Sequence, residues 1–143
     1  MTVARILAGK GHAIITASPH QTIRDVADTL AKHRIGAVVV CDADGAVLGI
    51  LSERDIVRAV SAGGGAALSD PVTQHMTKKV VTTGEQASVE ETMETMTQGR
   101  FRHIPVLRDG KLIGVISIGD VVKVRVESIE NEHRALREYI ASA

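Results

Sequence analysis

The sequence lacks the residues on which several common architectures and functions depend. It contains one cysteine among 143 residues, so no disulfide can form within the chain. Phe101 and Tyr139 are its only aromatic residues, which means that aliphatic side chains and methionine must build the core. Lys plus Arg and Asp plus Glu both total 17. This balance provides no basic surface for nucleic acid or an anionic membrane, and we expect neither as a partner.

Long apolar runs are also missing. No stretch approaches the roughly 18 apolar residues of a membrane span, and the apolar run near the first residue is too short for a secretory signal peptide. These absences predict a soluble, cytoplasmic protein. The single Cys41 lies in the apolar run AVVVCD, where a buried and unreactive thiol is expected.

What the sequence does contain is an internal duplication. When 14–40 is placed over 80–106, the apolar pattern is kept at a constant offset, which a one-residue deletion in the following turn reduces by one. A repeat of this kind indicates two copies of one structural unit. The alignment pairs Thr16 with Thr82, Arg34 with Arg100, Val40 with Val106, Gly49 with Gly114, Ser52 with Ser117 and Asp55 with Asp120.

Each half predicts the same order of elements: strand, helix, strand, strand, helix. The first strand is expected at 14–16 and again at 80–82. Two later strands in each half, AVVVCD with VLGILS and HIPVLR with LIGVIS, are joined by turns that contain Asp-Gly. Because these strands are apolar almost throughout, we expect burial on both faces. Apolar residues at helical spacing predict the first helix of each half, namely Ile23, Val26, Ala27 and Leu30, and then Val89, Met93 and Met96.

These elements divide the chain into four segments. Because a half of about 60 residues buries little core alone, we expect both halves to pack as one pseudo-twofold unit of the α/β (α+β) class. The linker contains three glycines and a Ser-Asp-Pro helix start, with Pro71 expected in the first helical turn. The segments are 1–61, the first repeat with an N-terminal helix; 62–76, the linker; 77–125, the second repeat; and 126–143, a C-terminal helix extension.

One corner, Gly-x-x-Ser-x-x-Asp, occurs in both halves, within LGILSERD and IGVISIGD. Ser-x-x-Asp often begins a helix, because the serine and the acid cap free backbone N–H groups. The same groups suit a nucleotide, since a carboxylate accepts hydrogen bonds from ribose hydroxyls and a helix N-terminus binds a phosphate oxygen. The residues leave both interpretations open, and capping does not exclude binding.

The duplication, the repeated corner and the strand RHIPV together resemble a tandem pair of cystathionine-β-synthase (CBS) domains, a Bateman module. The resemblance covers nearly all of the chain from Thr2 to Val124. With SERD, SIGDVVK and the long C-terminal helix, the chain is similar to the stand-alone bacterial type without a catalytic domain. The resemblance implies two β-α-β-β-α repeats about a pseudo-twofold axis, with clefts for AMP, ADP, ATP, NAD(H) or S-adenosylmethionine.

The resemblance also implies contacts for individual residues. Asp55 and Asp120 would bind ribose hydroxyls, and Ser52 and Ser117 would bind ribose or phosphate.

Each cleft would take residues from both repeats. Thr16 and Thr82 fall where the family contacts base or ribose. Backbone lining the adenine slot is implied at Ile35, Gly36 and Ala37, and at Arg102, His103, Ile104 and Pro105. The candidates for phosphate are Arg54, Arg100, Arg102 and His103, for each of which an exposed charge without a ligand is the alternative.

The possible ligands can be ranked by how well their charge suits these few cations. Arg54 in the first repeat corresponds to Gly119 in the second, so the clefts are expected to differ in affinity. Even with Lys78 and Lys79, the set suits one or two phosphates better than three without a metal. We therefore rank AMP first, NAD(H) second, ATP third and S-adenosylmethionine last, and expect no metal, since no two histidines lie at metal-ligand spacing.

Two other functions remain as alternatives. Catalysis is disfavoured because the Gly-x-Ser-x-Gly elbow, the P-loop and the dinucleotide fingerprint are absent, which leaves only a Cys41–His103 pair to consider. The more serious alternative is a dimeric structural or adaptor protein whose clefts need no ligand. A heptad-like stripe in the C-terminal helix predicts a homodimer in either case, and the downstream protein is unknown. The stripe consists of Val122, Val126, Ile129, His133, Leu136 and Ile140.

Overall fold

The computed structural model describes residues 1–10 and 14–142 and arranges them in two similar halves. The chain begins with α1 (Val3–Lys10), and the first half follows with β1 (Thr16–Ala17), α2 (Ile23–His33), β2 (Ala37–Cys41), β3 (Val47–Ser52) and α3 (Glu53–Gly63). A 3-10 helix (Gly64–Ser69) and the short α4 (Val72–His75) lead to the second half. That half contains α5 (Val89–Gly99), β4 (His103–Arg108), β5 (Lys111–Ser117) and α6 (Ile118–Ser142).

Two small sheets carry the strands. In the first sheet β1 pairs parallel with β2, and β2 pairs antiparallel with β3. In the second sheet β4 pairs antiparallel with β5. Both predicted hairpins are confirmed, and their turns place Gly45 and Gly110 at φ values of 83° and 78°. This left-handed conformation is one that glycine adopts without steric cost.

The first strand of each half differs from the prediction. β1 begins at Thr16, two residues later than expected, and the strand predicted at 80–82 is wrong. In its place Thr83 alone pairs with β4, where its N–H donates to the Pro105 carbonyl at 3.0 Å. The reason is that the preceding Thr77 is already paired with Ile50 of β3. The segment 77–83 is therefore attached to one sheet at each end by a single bridge.

The amphipathic helices α2 and α5 are confirmed, and burial of the strands is confirmed in part. β2 is buried on both faces: Val38 and Val40 lie in the first core, and Val39 on the opposite face is fully buried too. β4 is buried from 104 to 106 in the same way. β3 and β5 are only partly buried, because Ile50 and Val115 line clefts between the halves.

The two halves exchange the segments that precede them. α1 comes before the first half in the sequence, yet Val3 is buried in the second core and its N–H donates to the Ala87 carbonyl at 2.9 Å. Val72 of α4 is buried in the first core, and its N–H donates to the Gln21 carbonyl at 2.9 Å. The division into 1–61, 62–76 and 77–125 thus does not follow the cores. Pro71 lies just before the first helical turn rather than within it.

The repeated glycines allow this exchange. A Cβ on Gly49 would lie 2.5 Å from the sulfur of Met76, and a Cβ on Gly114 would lie 2.5 Å from a methyl of Leu7. At Gly49 the added Cβ would also lie 2.9 Å from the Thr77 carbonyl oxygen, so the backbone of the neighbouring segment could approach a larger residue there only by shifting. The exchanged segments consequently lie beside the two Ser-x-x-Asp corners.

The long C-terminal helix is confirmed. α6 has 25 residues, and Val121 is buried in the second core. Beyond the core the apolar stripe is exposed, including Ile129, Leu136 and Ile140. Ala143, at the end of the predicted extension, lies outside the described residues. Among the helices of the described ranges, none combines the length and apolarity of a membrane span.

Candidate functional site

Two clefts lie between the halves, and their linings are related by the duplication. The first cleft, of about 520 Å³, is lined by the Ser52–Asp55 corner together with 99–103 of the second half. The second cleft, of about 430 Å³, is lined by Ser117 and Asp120 together with 34–37 of the first half. Both volumes fall in the range of about 300–1,000 Å³ that small-molecule sites occupy. Each cleft therefore takes residues from both halves.

The corner of the first cleft is a capping box. Asp55 Oδ2 accepts hydrogen bonds from the Ser52 N–H at 2.9 Å and from Ser52 Oγ at 3.1 Å, while the Asp55 N–H donates back to Ser52 Oγ at 3.4 Å. The helix-cap interpretation is thus confirmed. Asp55 Oδ1 lies 3.6 Å from Arg58 Nη1, which is too long for a strong hydrogen bond. This oxygen keeps lone pairs that a hydroxyl group can use.

The corner of the second cleft carries an additional partner. Asp120 Oδ2 accepts a hydrogen bond from the Ser117 N–H at 2.8 Å and another from Lys10 Nζ at 2.8 Å. Lys10 also donates to the Val115 carbonyl at 2.8 Å. Burial by itself would raise the pKa of Asp120, but the hydrogen bonds from Lys10 and Ser117 outweigh it and lower the pKa below its usual value. Asp120 is therefore an ionised carboxylate with a cation already bound.

His103 lies at the junction of the two clefts and lines both of them. Its ring packs against the backbone of Gly36, where a Cβ would lie 3.1 Å from Cε1 and Nε2. Burial lowers the pKa of His103 below its ordinary value; Glu53 and Asp120 oppose this shift, and nearby cations reinforce it. At pH 7 His103 is therefore a neutral hydrogen-bonding group rather than a cation for phosphate.

Equivalent arginines lead into the clefts. Arg34 and Arg100 end α2 and α5 in the left-handed conformation, at φ values of 53° and 57°. This conformation reverses the chain after a helix. It directs the following residues, including Gly36 and His103, into the clefts.

The two clefts differ strongly in charge. Asp120 is the acidic side chain of the second cleft. The first cleft combines five basic side chains with Glu53 and Asp55. The basic residues of the first cleft are Arg54, Arg58, Lys79, Arg100 and Arg102, and those of the second are Lys10 and Arg34.

Some of the predicted residues do not line a cleft. Thr16 and Thr82 are exposed outside both linings, and the residues just before them, such as Ile15 and Val81, line the clefts instead. Ile104 and Pro105 are buried behind the slot, so that only their backbone could contribute to it. Those found in the linings are Ile35, Gly36, Ala37, Ser52, Arg54, Asp55, Arg100, Arg102, His103, Ser117 and Asp120.

Sequence reasoning missed Lys10 and Arg34. The duplication pairs Arg34 with Arg100, so symmetry with that candidate could have identified it. Lys10 lies 110 residues from Asp120 and gave no local signal.

Cys41 is half-buried and lines neither cleft. Burial, assisted by the charge of Asp42, raises the pKa of its thiol. A thiol of this kind is a poor nucleophile at neutral pH. Within 1–10 and 14–142, no three His, Cys, Asp or Glu side chains are grouped so that they could hold a metal ion.

The chain is similar to known proteins in sequence and in fold. The family model for the CBS domain matches residues 11–62 and 72–127. The CBS domain-containing protein CBSX3, mitochondrial, of Arabidopsis thaliana is 33% identical over 147 aligned positions, which cover 97% of this chain and 71% of that protein. The crystal structure of the CBS-domain containing protein ATU1752 from Agrobacterium tumefaciens matches with a TM-score of 0.84 and 51% identity, covering 87% of this chain and 92% of that one.

A further match comes from a complex with ligands. The CBS domain pair of protein MJ0100 was crystallised with 5′-methylthioadenosine and S-adenosyl-L-methionine. It matches with a TM-score of 0.78 and 25% identity, covering 87% of this chain and 98% of that one.

Proposed function

The chain belongs to the CBS-domain family, and we propose that it is a non-catalytic regulatory module that binds adenine nucleotides, AMP or NAD(H) first among them. The observation that carries this proposal is the pair of capping corners. Asp55 and Asp120 each lie in a cleft of small-molecule size, and each carboxylate is held in place by the serine of its own corner. A duplicated carboxylate in a duplicated cleft favours a duplicated ligand contact.

The chemistry of the first cleft suits each part of AMP. Asp55 Oδ1 can accept a hydrogen bond from a ribose hydroxyl while Oδ2 continues to cap α3. Ile50 and Phe101 provide apolar surface for the base. The N-terminus of α3, with Arg54 in its first turn, suits a phosphate group.

NAD(H) is the second candidate because the clefts meet. Gly36 and His103 line both of them, so a ligand with two nucleoside units could extend from one cleft into the other. ATP follows third. S-adenosylmethionine is last for the first cleft because its sulfonium would lie among five basic side chains.

The proposal includes no catalytic step. Ser52 Oγ donates to Asp55 Oδ2 and accepts from the Asp55 N–H, so its hydroxyl is engaged as a helix cap rather than activated as a nucleophile. His103 packs on Gly36 and lines both clefts. A regulatory module of this kind would pass its ligand state to a downstream protein.

The module is further proposed to be a homodimer. Beyond the second core, α6 exposes apolar side chains at heptad spacing, among them Val126, Ile129, Leu136 and Ile140. An amphipathic helix is stabilised chiefly by burying its apolar face. A second copy of the chain presents the same stripe and can cover it.

Two measurements test the function. Mass spectrometry of small molecules released from the denatured, purified protein should identify an adenine nucleotide. Thermal-shift titrations at matched concentrations should stabilise the protein in the order AMP, NADH, ATP, S-adenosylmethionine. Stabilisation by S-adenosylmethionine alone would overturn the ranking. If no nucleotide co-purifies and none shifts the melting temperature, the adaptor function is correct instead, and turnover of a bound nucleotide would indicate an enzyme.

A further inference from the structure

The unequal charge of the clefts suggests that they do not take the same ligand. We propose that the first cleft binds a phosphorylated adenosine and that the second cleft binds an adenosine derivative without a phosphate. This inference rests on the proposed function, because it assumes that both clefts bind adenosine derivatives. It goes further by assigning a class of ligand to each cleft.

The first cleft has cations available for a phosphate. Of its five basic side chains, Arg58 approaches Asp55 at 3.6 Å. Arg54, Arg100 and Arg102 form no ion pair with another residue of the described ranges. Binding a phosphate dianion there neutralises charge without breaking an existing contact. Charge-assisted hydrogen bonds of this kind are among the stronger polar contacts in proteins.

The second cleft has fewer cations available for a phosphate, because one of its two basic side chains is already engaged. Lys10 is bound to Asp120 at 2.8 Å and to the Val115 carbonyl at 2.8 Å. Moving its ammonium onto a phosphate would leave the carboxylate of Asp120, which is mostly buried, without its cation. The resulting loss offsets the gain from the new contact. Arg34, the other basic residue of this cleft, is exposed and forms no ion pair within the described ranges, so it is the one cation here that a phosphate can bind without breaking a contact.

The first turns of α3 and α6 also differ in their basic residues, again in favour of a phosphate in the first cleft. Arg54 occupies the second helical position of α3, and Gly119 occupies the second helical position of α6. Crowding does not require this glycine, because a Cβ there would meet Ser117 Oγ at an ordinary 3.6 Å and the backbone has no positive φ. The start of α6 therefore offers a phosphate no side chain equivalent to Arg54.

Variants with one impaired cleft test the inference by calorimetric titration with adenosine and AMP. Asn retains a capping oxygen, so Asp120→Asn leaves the first cleft as the main site and Asp55→Asn leaves the second. In Asp120→Asn, AMP should bind at least about tenfold more tightly than adenosine. In Asp55→Asn, AMP should bind no more than about threefold more tightly than adenosine.

A variant that adds a positive charge beside the second cleft tests the inference without removing either acid. Gly119→Arg copies Arg54 into the second cleft and should raise the AMP stoichiometry from one to two per chain at concentrations that saturate only the first cleft in the wild type. Gly84→Arg is the matched control, because it adds the same charge at an open position outside both linings. It should leave the stoichiometry at one.

The outcomes separate this inference from the function on which it rests. If both Asn variants show the same ratio of AMP to adenosine affinity, or if the wild-type chain binds AMP equally in two sites, the inference is wrong while the function stands. If the wild type binds neither adenosine nor AMP, the proposed function itself is wrong.

Discussion

Asp55 and Asp120 occupy equivalent corners, yet replacing them should cost different amounts of stability in the absence of ligand. Each carboxylate caps the first backbone N–H of its corner, at 2.9 Å for Asp55 and 2.8 Å for Asp120. Loss of a helix cap typically lowers the free energy of unfolding by about 1 kcal/mol. Asp55→Ala and Asp120→Ala should share this loss.

Asp120→Ala should lose more, because it also removes the partner of Lys10. The side chains of this 2.8 Å pair are 39% exposed for Lys10 and 22% exposed for Asp120. A pair in this setting contributes about 1 kcal/mol, at the upper end for partly exposed ion pairs. Arg58, which is 76% exposed and 3.6 Å from Asp55, should contribute almost nothing. We therefore expect losses of about 2 kcal/mol for Asp120→Ala and about 1 kcal/mol for Asp55→Ala.

Urea unfolding of ligand-free protein, followed by circular dichroism, measures both losses. For a chain of this length, 1 kcal/mol corresponds to about 2–5 °C in melting temperature. A double-mutant cycle isolates the ion pair: Lys10→Met should cost about 1 kcal/mol more in the wild type than in Asp120→Ala, since its hydrogen bond to the Val115 carbonyl is lost in both. Arg58→Met is the matched control and should change stability by less than about 0.5 kcal/mol. Equal losses for the two Asp variants, or an additive cycle, would refute the reasoning.

Asp55→Ala should weaken AMP binding, and Asp120→Ala should weaken adenosine binding, each by about 1–3 kcal/mol in calorimetric titration, and unchanged affinity in both would show that the corners are helix caps only. Leu136→Lys combined with Ile140→Lys should reduce the oligomer seen by light scattering, because it places charge in the exposed stripe of α6; a wild-type chain that is already monomeric would contradict the proposed dimer. Folding lowers the pKa of His103, so protonation of this residue favours the unfolded state. The contribution of His103 to the free energy of unfolding is therefore present above the ordinary His pKa of about 6.5 and is lost as the pH falls below it. His103→Gln should flatten the decline in urea midpoint between about pH 7 and pH 5, and an unchanged decline would exclude this residue as its source.

The sequence by itself determined most of the elements and their duplication. The helical spacing of Ile23, Val26 and Leu30, the Asp-Gly turns and the Ser-x-x-Asp corners all act between residues only a few positions apart. Such interactions leave a pattern that is visible before the chain is folded. The duplication then implied two equivalent corners, and both are present with the capping geometry that was expected.

Only the tertiary structure decided which groups share a cleft and which segments share a core. Thr83 pairs as a single residue because Thr77, earlier in the same segment, pairs with the other sheet. Lys10 meets Asp120 because α1 packs on the half that it does not precede, 110 residues away along the chain. The charge of the second cleft follows from that contact. A contact over such a distance depends on how the halves pack rather than on local sequence, so no periodicity or motif near either residue could have indicated it.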